Sequence, residues 1–260
     1  MNAELNRALE TFAARDRVIV ALDFDGTLAE LADDPQSVSV LPHSARALTD
    51  LADDDGVILA LVSGRPTEEL GRLAAPPAGT VLIGSHGSET ATIDESGQLS
   101  AADLGLTDAE RATLSELITA LEDLTGHAPG AWVEIKPVAA VLHTRLAARE
   151  QADEVISRAL DGPATWSGVH AMKGKDVVEF SVRSMTKGDA LADLRDGFAA
   201  DGPVGVLFAG DDVTDEHGFE VLGDGDVGIK VGSGETAAAH RVADPEEIGR
   251  VLEALVRLRG

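Results

Sequence analysis

The sequence predicts an α/β fold, in which a parallel sheet lies between two layers of helices and an α+β domain interrupts the chain. Long apolar runs occur near both ends of the sequence, at 17–23, 56–63, 80–84, 204–210 and 227–231. Runs that are apolar throughout are typical of strands buried on both faces, as in parallel sheets. Helical stretches alternate with these runs, which favours a Rossmann-like core.

The helices at the two ends of the chain show the same regularity. Leu5, Leu9 and Phe12 lie at helical spacing near the N-terminus, and a final helix is predicted over 245–258. Neither end contains an apolar run long enough for a signal sequence or a membrane span.

The middle of the chain has a different pattern. The segments AWVEIKPVAAVLHTR and KDVVEFSV alternate polar and apolar residues, which indicates a sheet with one packed and one exposed face. Helical stretches at 107–124 and 147–160 would cover the packed face. We therefore predict an α+β cap over 88–182, inserted into a catalytic core formed by 1–87 and 183–260.

Composition limits the partners of the protein. The 260 residues carry a formal net charge of −25, which disfavours nucleic acids and anionic membranes as partners. The absence of cysteine excludes disulfides, zinc–thiolate sites and cysteine nucleophiles. We expect a soluble, cytoplasmic monomer that acts on a small molecule.

Two carboxylates stand at the end of the first predicted strand, in the sequence DFDGT. Asp23 and Asp25 are separated by one residue and followed by Gly26. A turn would also explain an Asp-Gly pair, and a calcium loop is disfavoured because Gly26 comes too early. In open parallel sheets, however, ligands bind beyond the carboxyl ends of the strands.

A second acidic cluster, GDDVTDE, follows the strand at 204–210 and contains Asp211, Asp212 and Asp215. One such cluster could be a turn with a helix cap. Two clusters at strand ends of the same sheet indicate a hard cation such as Mg²⁺, which prefers oxygen ligands.

Two further residues fit an anion-binding site. Ser63 in VSGRP follows a third strand, although taken alone an ordinary strand–turn–helix connection explains it better. Lys187 lies in the first turn of a helix predicted from the capping-box spacing of Thr186 and Asp189. A cation there opposes the helix dipole by about 0.3–1 kcal/mol, so it is either simply exposed or neutralises a bound anion.

These motifs, in this order, resemble the four motifs of the haloacid dehalogenase superfamily, and the resemblance extends to the inserted cap. It implies that Asp23 is the nucleophile that forms an aspartyl-phosphate and that Asp25 is the general acid and base. It also implies that Ser63 and Lys187 hold the phosphoryl oxygens. Mg²⁺ would be bound by Asp23, the backbone carbonyl of Asp25 and Asp211, with Asp215 orienting the site.

The fourth motif and the cap segments are more narrowly similar to the trehalose-phosphatase family. This resemblance implies a set of substrate-binding residues: Arg65, His86, Gly87, Glu134, Lys136, His143, Arg145 and Glu179. Gly130 matches a neighbouring motif position. The chain departs from the family pattern at Thr144, where an aromatic residue is usual, and after Glu179, where it reads FSVRSMTK.

The residues of the cap allow other readings. Glu134 and Lys136 share one strand face, which without the core motifs would be an ordinary solvated face. Alternative functions are a phosphatase for sucrose phosphate, mannosyl-phosphoglycerate or a hexose phosphate, or a non-catalytic module that binds sugar phosphates.

Overall fold

The computed structural model describes residues 2–32, 34–102, 105–200 and 202–260. The chain forms two units, which we call the core (Met1–Asp103 with Met185–Gly260) and the cap (Leu104–Ser184). The predicted insertion into a two-part core is therefore present. Its first boundary lies about one hairpin later than the expected residue 88.

The strands found in the described residues are β1 (Val18–Leu22), β2 (Val57–Val62), β3 (Val81–Gly84), β4 (Glu89–Ile93), β5 (Leu99–Ala101), β6 (Trp132–Lys136), β7 (Ala139–His143), β8 (His170–Lys173), β9 (Val177–Ser181), β10 (Gly205–Gly210), β11 (Val227–Val231) and β12 (His240–Val242). The helices there are α1 (Ala3–Ala13), α2 (Pro42–Ala52), α3 (Thr67–Ala74), α4 (Asp108–Thr125), α5 (Arg149–Asp161), α6 (Lys187–Ala199), α7 (Glu216–Glu220) and α8 (Pro245–Arg259).

The core sheet has the strand order β12-β11-β10-β1-β2-β3-β4-β5. The six strands from β12 to β3 are parallel, as the apolar runs predict, whereas β4 and β5 pair antiparallel at one edge. These two strands place residues 89–101 in the core and explain the shifted boundary. The burial of β4 alternates along the strand, a pattern that β9 of the cap also shows.

Alternate residues of β1 supply the two faces of the core. Val18, Val20 and Leu22 are buried in the cluster that contains α1, α2 and α8. Ile19 and Ala21 are buried in the other cluster, with residues of α6 and α7. Because successive side chains of a strand point to opposite faces, one apolar strand anchors both helical layers.

The cap is an antiparallel sheet of order β6-β7-β9-β8. Ala140, Leu142 and Phe180 pack against Leu117 of α4 and Val155 of α5, which cover one face. The other face carries the polar residues of β6 and β9. This arrangement confirms the predicted α+β architecture.

Helix starts follow the local sequence. The capping box of Thr186 and Asp189 is present at the start of α6, with the Thr186 hydroxyl accepting from the Asp189 N–H at 3.1 Å. Asp244 caps α8, whose first residue is Pro245. None of the helices in the described ranges has the length and hydropathy needed to cross a membrane.

Candidate active site

Two acidic segments meet at the carboxyl edge of the core sheet. Asp23 directly follows β1, and its N–H donates to the carbonyl of Ala209 in β10 at 2.9 Å. Asp211 follows β10, the parallel neighbour of β1. Asp23 is almost fully buried, whereas Asp211 is half-buried. The sheet register therefore brings together carboxylates that are far apart in the sequence.

Lys187 joins this cluster from the first turn of α6. Its Nζ lies 2.6 Å from Oδ1 of Asp23 and 2.7 Å from Oδ1 of Asp215, and all three side chains are buried. The position opposes the helix dipole, but two carboxylates outweigh that cost. The sequence allowed an exposed lysine or one that meets a bound anion; the structure shows it buried between two carboxylates of the protein itself, and its contact with a bound anion stays a prediction.

Burial and mutual repulsion shift the ionisation of the cluster. Burial, followed by repulsion from Asp215 and Asp211, raises the pKa of Asp23 to about 7, even though Lys187 acts in the opposite direction. Burial and the neighbouring Asp215 and Asp212 also raise the pKa of Asp211. The pKa of Lys187 rises because Asp23 and Asp215 outweigh the effect of its burial. The site is short of positive charge.

The donor set fits a hard divalent cation. One carboxylate oxygen from each of Asp23, Asp211 and Asp215 lies within 4.8 Å of the others. Such an all-oxygen, anionic set suits Mg²⁺, and a cation would relieve the repulsion that raises these pKa values. Gly26 leaves room for Asp211, because a side chain there would collide with its carboxylate. These residues could therefore hold a metal.

Asp25 is bound by Arg65. Arg65 donates from Nε to Oδ2 of Asp25 at 2.6 Å and from Nη2 to Oδ1 at 2.7 Å, and its third nitrogen contacts Glu69. The fork of two bonds fixes the plane of the carboxylate. The pKa of Arg65 is raised by these contacts. The sequence assigned Arg65 to substrate, whereas in this structure it binds Asp25.

Ser63 and His86 lie in adjacent turns. Ser63 follows β2 and is buried, and its Oγ accepts from the N–H of Arg65 at 3.2 Å. The His86 N–H donates to the Ser63 carbonyl at 3.0 Å, and its ring packs over Gly64, where a Cβ would clash with it. Gly87 has φ +114°, which only glycine adopts readily.

The polar face of the cap sheet carries the other predicted residues. Lys136 Nζ lies 2.6 Å from Oε2 of Glu179, and His143 Nε2 lies 2.8 Å from Oε2 of Glu134. Cross-strand pairing explains this, because Glu134 and Glu179 both pair with Val141 of β7. Arg145 lies just beyond β7 and is exposed.

Comparison with known proteins assigns the family. The trehalose-phosphatase family model matches residues 21–246, which include both acidic clusters and the whole cap. The chain belongs to the trehalose-phosphatase family. It is 34% identical over 237 residues to trehalose-6-phosphate phosphatase of Escherichia coli, covering 90% of this chain and 84% of that protein. The resemblance drawn from the sequence motifs is thereby confirmed.

Further relatives agree with this assignment. The chain is 31% identical over 271 residues to trehalose-phosphate phosphatase of Mycobacterium marinum, covering 98% of this chain and 66% of that longer protein. Among solved structures, a trehalose-6-phosphate phosphatase related protein matches with a TM-score of 0.70 and 26% identity, covering 92% and 97% of the two chains. The predicted fold, a Rossmann-like core with an α+β cap, is confirmed.

One departure from the trehalose-phosphatase pattern has a structural explanation. Thr144 is buried, and its hydroxyl donates to the carbonyl of Asp176 at 3.1 Å. Thr144 therefore stabilises the turn after β7, and its side chain is shielded from solvent. At Gly130, with φ +91°, a side chain would collide with the carbonyl of Leu146, so this glycine is required by the fold.

Sequence reasoning missed two buried charged residues of the core. Lys230, at the end of β11, donates to the carbonyls of Asp211 at 2.6 Å and Asp212 at 3.1 Å. Glu89, in β4, accepts from the Thr67 N–H at 3.2 Å and from the Ser85 hydroxyl. The available signal was a charge inside a strand, which indicates a partner when the strand is buried.

Proposed function

We propose that this protein hydrolyses trehalose 6-phosphate to trehalose and inorganic phosphate in trehalose biosynthesis, and that it is a phosphoric monoester hydrolase. The observation that carries the proposal is the cluster of Asp23, Asp211, Asp215 and Lys187 at the sheet edge, in a chain of the trehalose-phosphatase family. The named relatives are phosphatases of this substrate class.

Asp23 would be the nucleophile. Its carboxylate oxygen attacks phosphorus in line, the bond from phosphorus to the sugar oxygen breaks, and an aspartyl-phosphate forms. Its pKa of about 7 in the bare site means that the reactive anion depends on nearby positive charge. Lys187, at 2.6 Å, supplies part of that charge and, with Ser63, would hold phosphoryl oxygens.

The metal would be Mg²⁺, bound by Asp23, Asp211 and the Asp25 carbonyl, with Asp215 as an orienting or direct ligand. When bound, it would neutralise charge on the transferring phosphoryl group. Gly26 and Lys230 support this arrangement, since they give Asp211 its space and fix its backbone.

Asp25 would transfer the protons. It would donate a proton to the departing sugar oxygen and then accept one from the water that hydrolyses the aspartyl-phosphate. Its carboxylate is fixed in two bonds by Arg65, which supports a positioned acid and base. Arg65 is therefore better placed as a positioning residue for Asp25 than as a direct ligand of the sugar.

The cap would recognise the sugar. Carboxylates accept hydrogen bonds from sugar hydroxyls and lysine donates them, so Glu134, Lys136 and Glu179 could bind the glucose unit remote from the phosphate. His143 and Arg145 follow them in the same sequence motif, and His86 and Gly87, in the turn after β3, complete the proposed set. Contacts remote from the reacting centre should raise turnover as well as affinity.

The test is release of inorganic phosphate from trehalose 6-phosphate, beside sucrose 6-phosphate and glucose 6-phosphate, with and without Mg²⁺. We expect a strong preference for trehalose 6-phosphate, and loss of activity with EDTA or in Asp23→Asn. Metal-dependent activity on another sugar phosphate would replace the substrate assignment. Binding without hydrolysis of any of these compounds would favour a non-catalytic module. A cytoplasmic location and a monomeric state stay predictions.

A further inference from the structure

Trp132 is an exposed aromatic residue in a chain that has few. The sequence contains two tryptophans and no tyrosine. Trp132 begins β6 and is 39% exposed, on the same sheet face as Glu134 and Lys136. A single exposed apolar side chain is common on protein surfaces, so its exposure alone implies nothing. Its neighbours make it informative.

The indole of Trp132 is fixed on one side. It stacks on the imidazole of His143 with ring centroids 4.6 Å apart and an interplanar angle of 3°. The two residues are direct partners in the pairing of β6 with β7. His143 is in turn held by Glu134 at 2.8 Å. The ring is therefore oriented before any ligand arrives, and little side-chain entropy remains to be lost on binding.

The polar groups on the sheet face that carries Trp132 suit a carbohydrate. A pyranose presents hydroxyls at its edge and C–H groups on its faces. Glu134, Lys136 and Glu179 can bond the hydroxyls, but carboxylates and lysine offer no surface to the C–H face. An oriented aromatic ring with a partly exposed surface provides that surface.

We propose that Trp132 is a specificity-determining residue, whose indole packs against the C–H face of the glucose unit remote from the phosphate. The inference rests on the proposed function and adds to it a contact that only a substrate with a second sugar ring can make. Trp132 therefore selects a disaccharide phosphate over smaller phosphate esters. His143 acts with it as the support that orients the ring.

The first test compares Trp132→Ala and Trp132→Phe with the unmodified protein. For trehalose 6-phosphate, we expect kcat/KM to fall about 10–100-fold in Trp132→Ala and only a few-fold in Trp132→Phe. For para-nitrophenyl phosphate, which has no sugar, kcat/KM should stay within about twofold in both variants. Ile135→Ala is the matched control, because Ile135 is the next residue of β6, is 60% exposed and points to the opposite face.

The second test uses fluorescence. Trp166→Phe leaves Trp132 as the single tryptophan, and titration with trehalose should change its emission in a saturable manner, with a weaker response to glucose. An unchanged emission at concentrations that protect against phosphate release would overturn the inference. So would an equal loss in Trp132→Ala for both substrates, which would indicate a structural role. Preference of the unmodified protein for another sugar phosphate would instead overturn the proposed function.

Discussion

Lys230 is a buried cation whose partners are mostly backbone atoms of the acidic segment. It is 4% exposed and donates to the carbonyls of Asp211 and Asp212, and its Nζ lies 3.3 Å from Oε1 of Glu216. Burying an ammonium group is costly unless it is paired, and three oxygens offset that cost here. Lys230 thus fixes the backbone of the segment whose carboxylates would bind the metal.

We predict that Lys230→Met weakens Mg²⁺ binding about tenfold, since residues that orient metal ligands contribute on the order of 10–100-fold to metal affinity. The free energy of unfolding should also fall by about 3 kcal/mol, because the substitution leaves two backbone carbonyls and Oε1 of the half-buried Glu216 carboxylate without their donor. Isothermal titration calorimetry of the metal-free protein and urea denaturation measure the two effects.

Lys173→Met is the control for this experiment, since Lys173 is exposed on the cap and far from the acidic segment in the sequence. It should change the unfolding free energy by less than about 0.5 kcal/mol. If Lys230→Met lost stability but bound Mg²⁺ as tightly as the unmodified protein, the positioning role would be wrong.

The residues at strand ends were predictable because the sheet topology alone determines where they meet. Asp23 and Asp211 follow neighbouring parallel strands, so recognising two apolar runs was enough to place them together. The pairing of Asp25 with Arg65 was not predictable, because it depends on side-chain orientation across 40 residues of sequence. Lys230 was missed because a lysine in a strand is usually exposed.

At the scale of elements, Glu110 joins the start of α4 to the segment after β9. Its Oε2 accepts from the Thr107 N–H at 2.6 Å and completes a capping box, while Arg183 Nε donates to Oε1 at 3.0 Å. The bond from Arg183 and the two from Thr107 lower the pKa of Glu110 from the ordinary 4.5 to about 2. Its ionised form therefore stabilises the cap.

The lowered pKa of Glu110 determines how the stability of the cap depends on pH. A carboxyl group with a depressed pKa adds stability above its unfolded-state pKa of 4.5, and that contribution is lost as the pH falls towards 2. We therefore predict that Glu110→Gln lowers the melting temperature of the cap at pH 6, and that the difference narrows by pH 3. Glu116→Gln, an exposed residue of α4, should show little difference at either pH. If Glu110→Gln lowered the melting temperature by the same amount at pH 6 and at pH 3, the stabilising role of the ionised Glu110 would be wrong.

The elements themselves were predicted where one pattern dominated. The final helix was expected over 245–258 and is found at Pro245–Arg259. Residues 89–101 were included in the predicted cap, and no separate hairpin was predicted there, although β4 alternates buried and exposed residues. Alternation reports that one face of a strand is exposed, and an edge strand of the core meets this condition as well as a cap strand.

At the scale of the whole molecule, the two units have separate apolar cores, and tryptophan occurs in the cap alone. The cap core contains residues 114–180 only, and the two clusters of the core unit contain none of these. Trp132 and Trp166 are the two tryptophans of the chain, and both lie in the cap. Tryptophan fluorescence therefore follows the cap alone, whereas circular dichroism follows both units.

The acidic cluster lies in the core, so Mg²⁺ should stabilise the two units unequally. At a Mg²⁺ concentration of about 100 times its dissociation constant, binding adds about 2.7 kcal/mol to the native state, or about 5–10 °C in melting temperature for a unit of this size. We predict this shift in the main transition by circular dichroism and less than about 2 °C by tryptophan fluorescence. Asp211→Asn should abolish the shift, because it removes one charge of the proposed metal site while leaving the cap unchanged. If fluorescence moved together with circular dichroism, the units would unfold as one, and the cap would share the stability that the metal provides to the core.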